Sequence, residues 1–393
     1  LKAAFYYHIP ITVLNDGYYL PGHFGIFIDE LANNFDELVL IMHKANAFDN
    51  LSNDYCLKAK NIRLVNLGPT TPAWHRALFH YNILAEKVKE AADCSIVIVR
   101  APCALAPFFY KYVSNKQTLW FMVVGDYKEG AENWATNSIR NLAIKYYLHI
   151  NSFLFESKLR NYNVMVNSEK LYLKYKNKCK SLFKISTTTL RDEDFYKRED
   201  TCSDDKIRLL YTGRIDKAKG LFELIDALSI MQKEGINVQV DIAGWELKEG
   251  KQNEHELRER IIRLGINNLV NFHGKLNVGP ELNALYRKSD IYVLPSFYEG
   301  FPRTIWEAGA NCVPIICSNV GGIPEILKHG QTALLIEPGK PMQIVDGVKK
   351  IINNQSYRKN LIQNAYRLAQ SNTLKIQTQK LADIIKSNYA SQK

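Results

Sequence analysis

The chain has 393 residues, more than one core usually organises, and its 46% hydrophobic and 23% charged residues exclude a disordered or fibrous protein. Its 51 basic against 40 acidic residues give a formal charge of +11, a field that suits nucleotides, diphosphates, nucleic acid or an acidic membrane face without choosing among them. The 7 scattered cysteines contain no C-x-x-C pair, which argues against a disulfide framework or a zinc site and fits a reducing compartment.

The first half alternates short β-rich runs with helical patterns. KAAFYYHI (2–9), ELVLIM (37–42), NIRLVNL (61–67), SIVIVR (95–100), TLWFMVV (118–124) and YNVMVNS (162–168) read as strands. Helical patterns run over 24–35, 77–92 and roughly 133–158. Such alternation predicts βαβ units around a mostly parallel sheet. RAPCALAPFFYKYV (100–113) is the greasiest loop-like stretch and contains two prolines. The polar stretch 181–206 breaks the rhythm and reads as a linker or surface excursion.

A second α/β series starts at Lys206. KIRLLYTG, VQVDIAG, LVNFHG, DIYVLPS, VPIICSN and ALLIEP are its strands, with amphipathic helices between them. Helical patterns at 342–354, 357–370 and 373–391 close the chain. The reading expects domains at 1–190 and 205–370, with the helix 373–391 packing back on the first. No leader pattern and no run of about 18 apolar residues is present, so it also expects no signal peptide, no spanning helix and a cytoplasmic location.

Two segments carry candidate chemistry. In YTGRIDKAKG (211–220) a strand enters a glycine turn, and Arg214 and Lys219 precede a helix start. Gly213 permits close backbone approach, the helix terminus favours an anion, and the two cations suit phosphate oxygens. In PSFYEGFPRTIWEAGANCVPIICSNVGGIPEIL (295–327), Glu299 and Glu307 flank a loop-to-helix transition near Thr304, and Gly321 and Gly322 follow. Carboxylates accept hydrogen bonds from the paired hydroxyls of sugars and riboses. Taken singly, each segment also reads as a surface turn with solvated charges.

Together these segments resemble the large family of retaining glycosyltransferases with the GT-B fold, the GT4-like group that includes sucrose synthase and bacterial mannosyltransferases. The matching features are Gly213-Arg214 with Lys219-Gly220, the E-x7-E pair Glu299 and Glu307, the EGFP...EA run and VGGIPEI. They span roughly 207–340; the N-terminal half matches mainly in architecture. The resemblance implies an α/β, GT-B fold of two Rossmann-like domains facing across a deep cleft, with an N-terminal acceptor side and a C-terminal donor side.

It also implies roles. Arg214 and Lys219 would hold the donor diphosphate, Glu299 the hydroxyls of the transferred sugar and Glu307 the ribose hydroxyls. Gly213 and the amides around Phe301, Arg303 and Thr304 would surround sugar and phosphate, although Pro302 has no N–H to offer. After the second strand of this domain, where relatives are rich in small residues, Gly244 is followed by Trp245, which either stacks on the base or packs as an ordinary aromatic.

The N-terminal half departs further. The counterpart of the family's glycine-rich loop is NDGYYLPGHFG (15–25), with Gly22 and the Pro21 to Phe24 turn facing phosphate and His23 either reaching substrate or lying idle. Arg100 stands where many relatives have a histidine facing the transferred sugar. It either holds an acidic group in the cleft or caps the RAP turn. Asp126, at the end of TLWFMVVGDY, either orients an acceptor hydroxyl or stabilises a turn, and Ser168 and Glu169 give a weak signal.

The expected activity is retaining transfer from a nucleoside-diphosphate sugar, UDP favoured over GDP, to a glycan or lipid-linked glycan in bacterial surface polysaccharide or lipopolysaccharide synthesis. No metal, other cofactor or nucleic-acid partner is expected. The charge and the greasy 100–113 stretch point to peripheral contact with the anionic inner face of the cytoplasmic membrane. The rival reading is a silent nucleotide-sugar-binding scaffold.

Overall fold

The computed structural model describes residues 1–45, 53–71, 75, 81–126, 139–246 and 251–391. The expected helix 77–92 and the one spanning roughly 133–158 fall partly outside these residues. The chain divides into two compact units, Leu1–Ser186 with Gln377–Lys393, and Thr187–Ile376.

The first unit is built on β1 (Lys2–Tyr6), the hairpin strands β2 (Thr12–Leu14) and β3 (Gly17–Leu20), α1 (Gly22–Ala32), β4 (Glu37–Lys44), β5 (Tyr55–Cys56) and β6 (Ile62–Pro69). It continues through α2 (Tyr81–Lys87), β7 (Ile96–Ala101), α3 (Ala106–Tyr112), β8 (Thr118–Val123), α4 (Ile139–Glu156), β9 (Asn163–Val166), α5 (Glu169–Tyr175) and β10 (Ser181–Lys184). Seven strands form one parallel sheet in the order β10-β9-β8-β7-β1-β4-β6. The central strands are nearly unbroken apolar runs because helices cover both faces. In α1, Phe24, Ile28, Leu31 and Ala32 share one face and are buried.

Three sequence expectations change here. The stretch expected as a glycine-rich turn at 15–25 is divided between a β-hairpin, with Leu14 paired to Gly17 and β3 also paired to β5, and the first turn of α1 from Gly22. An Asn-Asp-Gly run between two apolar strands favours such a turn. The greasy 100–113 stretch is core: Cys103, Leu105, Ala106 and Phe109 are buried and α3 begins at Ala106. The expected linker 181–206 starts as β10, in parallel register with β9.

The second unit comprises β11 (Ile207–Thr212), α6 (Leu221–Lys233), β12 (Val238–Ala243), α7 (Gln252–Arg263), β13 (Val270–Gly274), α8 (Pro280–Lys288) and β14 (Ile291–Leu294). α9 (Thr304–Ala310), β15 (Ile315–Ser318), α10 (Ile323–Ile326), β16 (Leu334–Ile336), α11 (Pro341–Asn353) and α12 (Gln355–Gln370) follow. Its six strands are parallel in the order β13-β12-β11-β14-β15-β16.

The stretch from Thr187 to Lys206 is tied into this unit by specific side chains, although several of its residues stay exposed. Asn283 donates to Asp194 at 2.8 Å, and Arg198 donates to the carbonyls of Arg287 and Ser289 at 3.0 and 2.6 Å. Asp200 pairs with Arg358 at 2.6 Å. Its polar side chains bridge backbone and charge, while Leu190 and Phe195 add apolar contacts around Trp306. The last helix, α13 (Leu374–Ala390), buries Leu381, Ala382 and Ile385 in the core of the first unit.

Candidate functional site

All six strands of the second sheet end at one edge, and glycines there let neighbouring loops touch through their backbones. Gly213 follows β11 at φ 146°, and its N–H donates to the Ala243 carbonyl at 3.0 Å. A Cβ on Gly244 would lie 1.8 Å from the Gly213 carbonyl oxygen. Gly220, at φ 68°, lies where a Cβ would meet the Pro295 carbonyl at 2.0 Å, and the Phe297 N–H donates to Ala218. Gly321, at φ 56°, lies where a Cβ would be 1.7 Å from the Glu299 carbonyl, and Gly322 N–H donates to Gly300 at 2.7 Å. The loops after β11, β12, β14 and β15 are thereby knit into one rim, with conformations few other residues could adopt.

That rim brings the charged residues together. Lys219 Nζ lies 2.6 Å from Glu299 Oε1, which also accepts from the Ser296 hydroxyl at 2.8 Å. Both bonds fall on Oε1, leaving Oε2 without a hydrogen bond among the described residues. Arg214 is exposed on the same loop as Lys219, and its carbonyl accepts from Tyr211 at 2.7 Å.

Glu307 is buried on α9. The Tyr286 hydroxyl donates to its Oε2 at 3.0 Å, and Thr189 reaches its Oε1 at 3.5 Å. The Thr212 hydroxyl extends this chain, 2.6 Å from that of Tyr286. Burial pushes the Glu307 carboxyl above its ordinary range, against the attraction of Arg303 and the Tyr286 bond. The Phe301 ring packs 4.7 Å from that of Trp306, so Phe301 brings its backbone rather than its ring to the rim. Arg303 and Thr304 stand at the start of α9. The Trp245 ring carries Lys275 Nζ 5.2 Å from its centroid, and its carbonyl accepts from Ile215.

The first-unit candidates are scattered along the carboxyl edge of the other sheet. Gly22 opens α1, but its N–H already donates to Asp54 at 2.6 Å. His23 lies in the first turn of α1 and is half-buried. Asp126 is ion-paired with Lys174 at 2.8 Å, and Lys174 also holds Glu156 at 2.7 Å. Burial alone would lower Lys174; its two carboxylate bonds outweigh that and raise it. Ser168 caps α5, and Glu169 pairs with Lys184. Arg100, on β7, lies 4.4 Å from the Tyr7 ring centroid and 5.7 Å from that of Phe24, and burial lowers its pKa.

Sequence reasoning missed Ser296, Thr189 and Tyr286. Ser296 sits three residues before Glu299, inside the same segment 295–327. Thr189 and Tyr286 had no local signal, one in a polar stretch and the other in an ordinary amphipathic helix.

Residues 192–368 match the family model described as Glycosyl transferases group 1. The second unit belongs to that family. An uncharacterized glycosyltransferase of Methanocaldococcus jannaschii is 32% identical over 171 residues, 43% of this chain and 42% of the relative. The chain thus aligns with about two fifths of that relative's length. Protein CapJ of Staphylococcus aureus is 23% identical over 97% of this chain and 94% of its own. In structure, HepE of Anabaena in complex with UDP superposes with a TM-score of 0.73 at 18% identity, covering 98% of this chain and 100% of HepE. The fold is therefore the one expected, two Rossmann-like α/β lobes, with the group 1 unit carrying the glycine rim.

Among the described residues no group of three or more His, Cys, Asp or Glu side chains is placed to hold a metal ion. No helix of the described residues is long and apolar enough to cross a membrane.

Proposed function

We propose that this chain is a retaining glycosyltransferase using a nucleoside-diphosphate sugar, UDP favoured over GDP. The observation that carries the reading is the glycine rim of the group 1 unit, which sets Lys219 and Glu299 on adjoining loops, with buried Glu307 on the helix α9 that follows. Arg214 and Lys219 offer positive charge to the diphosphate, where negative charge grows as the bond to the sugar breaks. Glu299 Oε2 accepts from a hydroxyl of the transferred sugar while Lys219 and Ser296 hold Oε1 in place. Glu307 accepts from the ribose, and the backbone of Gly213, Gly244, Phe301, Arg303 and Thr304 lines the donor. Trp245 presents its ring to the base. The cations neutralise the diphosphate without a metal. With no carboxylate assigned as nucleophile, the acceptor attacks from the face the phosphate leaves. The complex of HepE with UDP supports the choice of nucleotide.

The acceptor in this reading is a glycan or lipid-linked glycan of bacterial surface polysaccharide or lipopolysaccharide assembly, met at the inner face of the cytoplasmic membrane. The greasy 100–113 stretch is core and gives no support for membrane contact. Support comes from α4, where Leu142, Tyr146, Ile150 and Phe153 follow a helical spacing and are exposed. Residues 158–184 beside it carry eight Lys or Arg against the single acid Glu169.

The test is calorimetric titration with UDP, GDP, ADP and CMP, then a screen for nucleotide released from UDP- and GDP-sugars with and without acceptors. Binding of none of the diphosphates defeats the reading. Tight nucleotide-sugar binding with no turnover across a full acceptor panel would instead establish a binding scaffold. Co-sedimentation with anionic but not neutral liposomes, weakened by Ile150→Glu, tests the membrane contact.

A further inference from the structure

The first sheet has a topological switch point of its own, the kind of place where open sheets bind ligands. From β1 the sheet grows outward through β4 and β6, then resumes on the other side of β1 with β7 and continues to β10. In open parallel sheets, ligands bind outside the carboxyl ends of the strands where the direction of winding reverses. Here that point lies between β1 and β7. Arg100 is the penultimate residue of β7, Tyr7 directly follows β1, and Phe24 comes from the first turn of α1. The rings of Tyr7 and Phe24 meet edge to face at 4.8 Å and flank the guanidinium.

Among the described residues this cation has no counter-charge. Its Nε is sealed from solvent without a hydrogen-bond partner, while the residue as a whole keeps some exposed surface. Among the described residues no carboxylate, carbonyl or hydroxyl takes a bond from it. The other deeply set arginines are treated differently. Arg198 donates to backbone carbonyls, and Arg358 is paired with Asp200 and bonded to two carbonyls. A guanidinium whose Nε is sealed without a partner costs stability, and an anion that reaches the open side of the fork offsets that cost. Guanidinium donates and never accepts, and its planar fork matches carboxylate and phosphate oxygens.

We propose that this crevice binds an anionic substituent, a carboxylate or phosphate, on a sugar substrate, with Arg100 as its receptor and Tyr7 and Phe24 fixing the plane of the fork. The nature of the molecule that carries the anion rests on the glycosyl-transfer reading; the anion site does not. The anion belongs either to the donor sugar or to the acceptor, and the two sources separate in one experiment.

Calorimetry on the full chain compares UDP-glucuronate with UDP-glucose. A second arm compares glucuronate and glucose 6-phosphate with glucose, with and without UDP. Both arms are repeated on Arg100→Met and Arg100→Lys, with thermal unfolding of each protein. The expected result is a preference of about tenfold or more for the acidic member in one arm, lost in Arg100→Met and partly kept in Arg100→Lys. Ligand-free Arg100→Met should also unfold at a higher temperature than the parent, which a merely structural arginine would not do. Equal binding of acidic and neutral members in both arms overturns the inference, as does a preference that survives Arg100→Met. A chain that ignores UDP but still prefers the acidic probes would break the donor reading and leave the anion site standing.

Discussion

The carboxyl edges of the two parallel sheets are made from different materials. At the second, glycines bring loops within backbone contact, and Lys219, Glu299 and Glu307 each find partners inside their own unit. At the first, aromatic rings do the packing: Tyr55 lies over Gly25, Tyr7 and Phe24 flank Arg100, and that arginine has no ion pair among the described residues. A backbone crossing admits one residue type and fixes geometry before any ligand comes. A ring can tilt, so the aromatic edge tolerates exchange and holds its charge by packing alone.

The largest expected effect tests that contrast directly. Gly244→Ala and Gly321→Ala force a Cβ against a carbonyl oxygen at 1.8 and 1.7 Å, and neither strand-end loop can retreat without breaking its neighbour. Each should cost about 4 kcal/mol or more by urea unfolding and remove UDP binding. Gly25→Ala meets the Tyr55 side chain at 2.4 Å rather than a backbone carbonyl, and a side chain can shift where a strand-end loop cannot, so about 1–3 kcal/mol is expected. Equal losses at Gly25 and Gly244 would abolish the distinction.

The same contrast explains what was legible. Gly213, Gly220, Gly321 and the paired glutamates stood out because backbone crossings and charge spacing leave residue types that chance rarely assembles. Strand runs such as SIVIVR were legible because a strand covered on both faces is apolar throughout. The hairpin at 12–20 was hidden because its Gly17 and turn resemble a phosphate loop. β10 was hidden because a four-residue edge strand with half-exposed side chains has no pattern. The bridging of 187–206 to the second unit rests on long-range pairs, Asp194 with Asn283 and Asp200 with Arg358, which no local window contains.

A second prediction concerns chemistry at the glycine edge. Glu299→Gln keeps the shape but removes the charge that holds Lys219 at 2.6 Å. Donor turnover should fall by about 100-fold or more, with a smaller change in nucleotide affinity. If affinity and turnover fell together, Glu299 would be serving the nucleotide rather than the sugar.

Next in size is the strap that ties 187–206 to its unit. Burial raises the Asp200 carboxyl, but the Arg358, Gln355 and Thr201 bonds outweigh it and hold it below its usual range. A carboxylate with a depressed folded pKa contributes stability that is present above its unfolded pKa of about 4 and is lost as pH falls through the folded value. Asp200→Asn should therefore cost about 1–3 kcal/mol at neutral pH, with the gap closing in acid. A loss that persists unchanged in acid would mean that shape, not charge, holds the strap.

The smallest effect asks whether the edges differ as much as their packing does. Glu307 has neighbours, yet burial pushes its carboxyl above the ordinary range. The folded state then holds this proton more tightly than the unfolded chain does. Stability contributed by the protonated form is fully present below the unfolded pKa of about 4.3 and is lost as pH rises through the folded value. At neutral pH the ionised Glu307 is thus a burden on the free protein, as Arg100 is at the other edge. Glu307→Gln should raise stability by up to about 1 kcal/mol at neutral pH and match the parent in acid, while UDP affinity falls about tenfold because one of the two acceptor oxygens offered to the ribose becomes a donor. Urea unfolding across pH beside UDP titration reads both. If Glu307→Gln is stabilising alongside Arg100→Met, each sheet edge keeps one charge at the expense of its own stability, and the difference between them is confined to how the loops are packed. If Glu307→Gln is destabilising at neutral pH, the Tyr286 and Thr189 bonds satisfy the carboxylate, and only the aromatic edge holds a charge that waits for its partner.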